Sequence, residues 1–205
     1  MGLHLHHALT ALLLTSVLIC SSGCTNHQEG AQGEGLVEKS DSVKMHDPIR
    51  TVPAFSGVDQ HGDVFTSEKL RGKWWIGSFF FTSCETVCPM INTEVAKLQQ
   101  KWGKSVSFVS VSTDPDNDTQ KVLASYAKKF GAQKDVWFMV RMSADSMMVL
   151  AESGMGVMKP VTPAGHSTRL ALVDKDMQVR DYFDGSDSVA VARLEQVLGS
   201  IGKAQ

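Results

Sequence analysis

Cysteine is scarce in this chain: 205 residues hold four, Cys20, Cys24, Cys84 and Cys88. A charge excess of either sign is missing too, with 20 basic residues against 22 acidic ones. That balance argues against a polybasic nucleic-acid binder and against a strongly acidic tail. No apolar run is long enough to span a bilayer comfortably. The longest, Ala8 to Ile19, has twelve residues. Internal repeats, heptads and phosphate loops are absent. No Ser-His-Asp set is recognisable, and the adjacency of His166 and Ser167 means little alone.

What is present at the N-terminus fits export. The run from Ala8 to Ile19 suits the core of a secretory signal, although its n-region carries His4, His6 and His7 and no Lys or Arg. A myristoylation signal would need Ser or Thr at position six, where His6 stands. The run closes on Ser21-Ser22-Gly23-Cys24, which resembles a bacterial lipobox. Cys20 is the poorer candidate because bulky Ile19 precedes it. The reading is a signal peptide over 1–23, lipidation at Cys24, and a folded part outside the cytoplasm, anchored in the bacterial cell envelope. Thr25 after Cys24 leaves inner or outer membrane open. Residues 25–47 are polar and Gly-rich, with isolated apolar residues that cannot nucleate a core. A flexible tether is therefore expected over 24–47, spanning roughly 75–80 Å extended and about 25–30 Å as a coil.

The remaining residues, 48–205, suit one domain. Asp59-Gln60-His61-Gly62 is a turn signal inside a short hairpin. Trp74–Phe81 is a continuous apolar and aromatic run of the kind that forms a strand buried on both faces, and Val106–Ser112 reads as a second buried strand. Ile91, Val95, Leu98 and Trp102 fall on one face of a helix. Val122, Leu123, Tyr126, Ala127 and Phe130 mark a second helix, opened by Asp118-Thr119. A short strand is expected over Trp137–Val140, and a helix capped by Ser143 running through Ala151. Thr168–Val173 and Gln178–Phe183 read as a hairpin, and Ala190 to Ile201 as a closing helix. This order is that of a thioredoxin-like α/β fold with an N-terminal β-hairpin extension.

With Cys20 removed and Cys24 lipidated, Cys84 and Cys88 have only each other. A bridge across so short a loop stabilises little, so a structural disulfide is a weak explanation. Pro89 belongs in a helix's first turn, so the pair flanks a helix N-terminus, where unsatisfied N–H groups favour thiolate. At i, i+4 the sulfurs can close a reversible disulfide or share one ion. Thioredoxin-type redox centres have two intervening residues; this pair has three. A metal site would recruit a third ligand. His27 and His46 lie in the tether and His61 in a turn. His166 immediately precedes the Thr168–Val173 strand. A lone histidine is more often a turn or core residue, but that strand start and the cysteine pair favour a ligand. Two thiolates and an imidazole suit Cu(I), tolerate Cu(II) and also suit zinc, which normally wants a fourth ligand.

The segments "FFFTSCETVCP", "VSVSTDPDNDTQKVLASYAKKF" and "GHSTRLALVD" resemble the Sco/SenC family of copper-binding proteins over about residues 52–200. The resemblance implies a membrane-tethered thioredoxin-like domain that binds copper through Cys84, Cys88 and His166. It also implies service in the assembly of cytochrome c oxidase, with the oxidase's copper-centre subunit or another exported copper protein as partner. Glu85 stands where many members have proline, and the approach to His166 lacks the usual Tyr and Asp. The alternative is a thiol–disulfide oxidoreductase acting on an exported client through the same redox pair. A peroxidase of peroxiredoxin type fits less well, because the spacing is not that of a single peroxidatic cysteine. The Met-rich stretch holding Met139, Met142, Met147, Met148, Met155 and Met158 is read as core packing rather than a thioether site. Asp114 and Asp116 are read as solvated or capping.

Overall fold

A computed structural model describes residues 46–157 and 167–203. Cys20, Cys24, Met158 and His166 lie outside the described residues. Six strands form one sheet in the order β1 (Arg50–Thr51), β8 (Gln178–Asp184), β7 (Arg169–Val173), β4 (Trp74–Phe80), β5 (Val106–Ser112) and β6 (Trp137–Val140). β4, β5 and β6 run parallel, while β7 lies antiparallel to β4 and to β8. The helices are α1 (Val87–Trp102), α2 (Gln120–Phe130), α3 (Ala144–Val149) and α4 (Ser188–Lys203). β2 (Ser56–Val58) and β3 (Val64–Thr66) make the separate hairpin, as the turn signal implies.

The pleat sorts each central strand's residues onto two faces. Trp75, Phe79, Val109, Val111, Phe138, Val140, Ala171 and Val173 face one core with the hairpin and α3. Ile76, Phe80, Phe108, Trp137, Met139, Leu170 and Leu172 face the other with α1, α2 and α4. Both faces are covered, which is why apolar residues stand on both sides of these strands. Gly77 permits one close approach: a Cβ there would lie 1.9 Å from Met155 Cε. Met139, Met142, Met147 and Met155 are buried, as the packing reading expects, while Met148 is partly exposed.

Several boundaries differ from the sequence reading. β4 stops at Phe80, and β7 begins at Arg169. Ser143 caps α3 by accepting from Ser146 N, but beyond Val149 the chain widens into a π turn, Leu150–Gly154. Val122 is exposed, not on the buried stripe with Leu123, Tyr126 and Ala127. It lies about 100° around the helix from Leu123, on the edge that faces water. The short strand β1 has no sequence signature, since its two residues carry no apolar pattern.

The hairpin closes the outer edge of the sheet through backbone pairing of Val58 with Arg141 and through a side chain. Gln60 is buried; its Nε2 donates to Trp137 O at 2.8 Å and its Oε1 accepts from Met139 N at 2.8 Å. One amide thus satisfies a donor and an acceptor of β6 that a further strand would otherwise take.

Candidate metal centre

The carboxyl ends of parallel β4 and β5 lie at one edge of the sheet, where open α/β sheets bind their ligands. Thr113 N donates to Phe80 O at 2.8 Å, tying the two ends. The chain then turns, with Cys84 N donating to Phe81 O at 3.2 Å, and enters α1. Thr86 occupies the N-cap position but makes no side-chain cap bond. Cys84 Sγ takes that role instead, accepting the Cys88 N–H at 3.3 Å. A helix N-terminus has orphan N–H groups, and here one of them is satisfied by sulfur.

Cys84 and Cys88 are both buried, and both belong to the helix-side core. Their environments differ. Burial pushes the Cys84 thiol up, but hydrogen bonds from Cys88 and Thr86 outweigh it and hold Cys84 below its ordinary 9.0. Burial pushes Cys88 up to about 12; a hydrogen bond from the Phe81 backbone opposes the shift, and the charges of Cys84 and Asp118 add to it. One thiol is readied for ionisation and its neighbour is held protonated.

Polar groups are buried near the pair. Tyr126 stacks on Phe80 at 5.2 Å between ring centroids, and Asn92 Nδ2 donates to its hydroxyl at 3.1 Å. Burial raises the Tyr126 phenol to about 12, opposed by the Asn92 bond and reinforced by the charges of Cys88, Cys84 and Asp118. Asn92 is buried, and its Oδ1 has no hydrogen-bond partner among the described residues.

Asp118 departs from the sequence reading, which assigns it with Thr119 to the helix cap. Thr119 alone caps α2, its side chain accepting from Val122 N. Asp118 turns inward, 1% exposed, and accepts from Ser112 Oγ at 2.6 Å, from Thr82 N at 3.2 Å, and from the Thr82 hydroxyl. Asp114 keeps to the surface role expected of it, accepting from Asn117 Nδ2, and Asp116 is exposed. A buried carboxylate in this loop carries no sequence signal of its own: of its donors Ser112 is six residues away, and Thr82 is 36 residues away along the chain.

The described residues contain no group of three or more His, Cys, Asp or Glu able to hold a metal. They bring together two soft sulfur donors. The first described residues after His166, Ser167 and Thr168, lead into β7, which pairs Ala171 with Gly77 of β4. Thr168 O accepts from Gly185 N at 2.7 Å. A Cβ on Gly185 would sit 3.2 Å from Thr168 O and 3.1 Å from Ile91 Cγ2 of α1. The entry to β7 and the first turns of α1 therefore share one neighbour.

Known proteins match this architecture. The SCO1 protein homolog of Bacillus subtilis is 34% identical over 98 residues, 46% of this chain and 51% of that protein. The chain thus spans about half the length of this relative. Among solved structures, a SCO1/SenC family lipoprotein of Bacillus anthracis superposes with a TM-score of 0.69 at 26% identity, over 78% of this chain and 99% of that one. BsSco, a member of the Sco family of cytochrome c oxidase assembly proteins with an identified disulfide switch, gives 0.68 at 25% identity, over 79% and 99%. ScoI of Arabidopsis thaliana, solved with copper bound, shares the fold at 24% identity with a TM-score of 0.58, over 75% and 99%. The fold is thioredoxin-like, with the hairpin β2–β3 as its N-terminal extension. The SCO1/SenC family model matches residues 43–199, and the chain belongs to that family.

Proposed function

We propose that this protein is a membrane-tethered copper metallochaperone. It binds Cu(I) or Cu(II) as cargo through Cys84, Cys88 and His166, and assists assembly of the binuclear copper centre of cytochrome c oxidase. The observation that carries the reading is the buried thiol pair at the N-terminus of α1, with Cys84 Sγ 3.3 Å from the Cys88 N–H. Two thiolates form a soft donor set suited to Cu(I). His166 is two residues from Thr168, a distance of at most about 7 Å of chain, and Thr168 shares Gly185 as a neighbour with α1. The copper held by a family member and the oxidase-assembly role of another support the same assignment.

Titration of the reduced protein with Cu(I) and Cu(II) tests it. One copper per chain is expected, with a thiolate-to-copper band in the Cu(II) form that each Cys→Ser variant abolishes. Cu(II) depends more on imidazole than Cu(I) does, so His166→Ala weakens Cu(II) far more than Cu(I). Equal Cu(II) binding by His166→Ala and wild type removes His166 from the site.

A second reading rests on the asymmetry of the thiols. Cys84 held below its ordinary value beside a protonated Cys88 suits a dithiol that attacks an exported client's disulfide. The disulfide switch of BsSco accords with it. The two readings part at His166, which a dithiol oxidoreductase does not need. Lipid attachment at Cys24, a tether over 24–47 and a domain over 48–205 complete the proposal, with the domain on the extracytoplasmic side of the envelope membrane. The family lipoprotein of Bacillus anthracis supports the anchor.

A further inference from the structure

Asp118 is a carboxylate at 1% exposure, and none of the ion pairs among the described residues includes it. Its charge is held by dipoles alone: the Thr82 N–H, the Thr82 hydroxyl, the Ser112 hydroxyl and the N-terminal end of α2. Burying a charge that way is costly, and a tie between β4 and β5 could be made by neutral groups without it. Indeed one is: Thr113 N–H to Phe80 O joins the same two strand ends at 2.8 Å. What the carboxylate adds is a grip on Thr82 through two donors of one residue. Thr82 stands inside the turn closed by the Cys84 N–H and Phe81 O, two residues before Cys84.

We propose that Asp118 is a positioning residue for the cysteine pair: by fixing Thr82 it holds Cys84 over the first turn of α1, within reach of Cys88, and so favours closure of the Cys84–Cys88 disulfide. Holding two reacting groups in place raises their effective concentration, and a charge-assisted hydrogen bond is the strong kind of tether. The step is a dithiol oxidation by a low-molecular-weight disulfide. Cys84 and Cys88 each lose a hydrogen and form one S–S bond; oxidised glutathione takes both electrons and both protons and leaves as two molecules of reduced glutathione. The inference rests on the reading of Cys84 and Cys88 as the working pair.

The test equilibrates the full chain with glutathione mixtures and reads the Cys84–Cys88 bridge by alkylation and peptide mapping. Asp118→Asn and Thr82→Val are expected to lower the equilibrium constant for bridge formation about tenfold, the size of losing one hydrogen bond to a charged group. Thr82→Ser keeps the hydroxyl and restores the constant to within about twofold of wild type. A group that only stabilises the fold would lower the melting temperature and leave this constant unchanged. Thr82 is half-buried and Val matches its shape, so Thr82→Val carries the test if Asp118→Asn fails to fold. Wild-type constants in Asp118→Asn and Thr82→Val overturn the proposal, as does an equal loss in Thr82→Ser. A wild-type chain that forms no bridge at all instead sinks the reading of the pair itself.

Discussion

Cys84 and Cys88 are four residues apart, on either side of the start of α1, yet their ionisation is shifted in opposite directions. Cys84 gains hydrogen bonds at the open end of α1, whereas Cys88 is pushed to about 12 by burial. Thiolate is the species that alkylates, so at pH 8 a brief pulse of iodoacetamide labels Cys84 first. Peptide mapping should place almost all early label there, and equal labelling of both cysteines would contradict the electrostatics described. The positions of both cysteines were legible in the sequence, because Pro89 and the apolar run before them mark a strand-to-helix junction. The burial of Asp118 was not. An Asp-Thr pair before a helix reads as a cap, and only folding brings Thr82 and Ser112 to the carboxylate.

At the scale of elements, the hairpin β2–β3 covers the edge of the sheet through the Gln60 side chain and through paired backbone hydrogen bonds between Val58 and Arg141, each 2.8 Å. Gln60→Ala would leave Trp137 O and Met139 N buried without partners. Each such group costs about 1–3 kcal/mol, so a loss of about 2–6 kcal/mol is expected in denaturant unfolding. A loss under about 0.5 kcal/mol would show that water replaces the amide. Gly57 allows the close approach beside that bridge: a Cβ there would lie 2.4 Å from Arg141 O, a backbone atom that cannot swing away. Gly57→Ala should therefore cost about 1–3 kcal/mol, as overpacking does, and resist rescue by mutating side chains nearby. The existence of this hairpin could be read from its turn residues, since Asp59 Oδ1 accepts from His61 N and Asp63 N as such turns do. Its docking through a glutamine could not, because the pairing spans 77 and 79 residues of sequence. Buried apolar strands and amphipathic helices were legible for the opposite reason. Their periodicity is local, and it failed only at an edge position such as Val122.

For the whole molecule, protonation links the site to stability. Cys88 and Tyr126 are each held at about 12, against ordinary values of 9.0 and 10.0. Groups raised on folding stabilise fully below the unfolded values and lose that contribution as pH rises toward the folded ones. The reduced domain should thus lose stability from about pH 9 upward, and Cys88→Ser with Tyr126→Phe should flatten the decline. Cys84 works the other way: its contribution is present above 9.0 and fades as pH falls through its lower folded value. A melting temperature that is flat from pH 8 to pH 11 in wild type would refute this linkage. Anchoring is tested by Cys24→Ser, which should leave the protein larger, without lipid, and released from membranes unless the uncleaved signal holds it. Unchanged size and membrane retention would count against lipidation.

Copper binding by Cys84, Cys88 and His166 is tested most directly by the atoms that surround the metal. X-ray absorption at the copper edge of the Cu(I)-loaded protein reads donor type and number without reference to activity. Two sulfur scatterers and one imidazole nitrogen are predicted in wild type, with the nitrogen missing in His166→Ala and one sulfur missing in either Cys→Ser variant. A copper shell that contains no sulfur, or that keeps its imidazole in His166→Ala, would contradict the assignment of Cys84, Cys88 and His166 as the copper site.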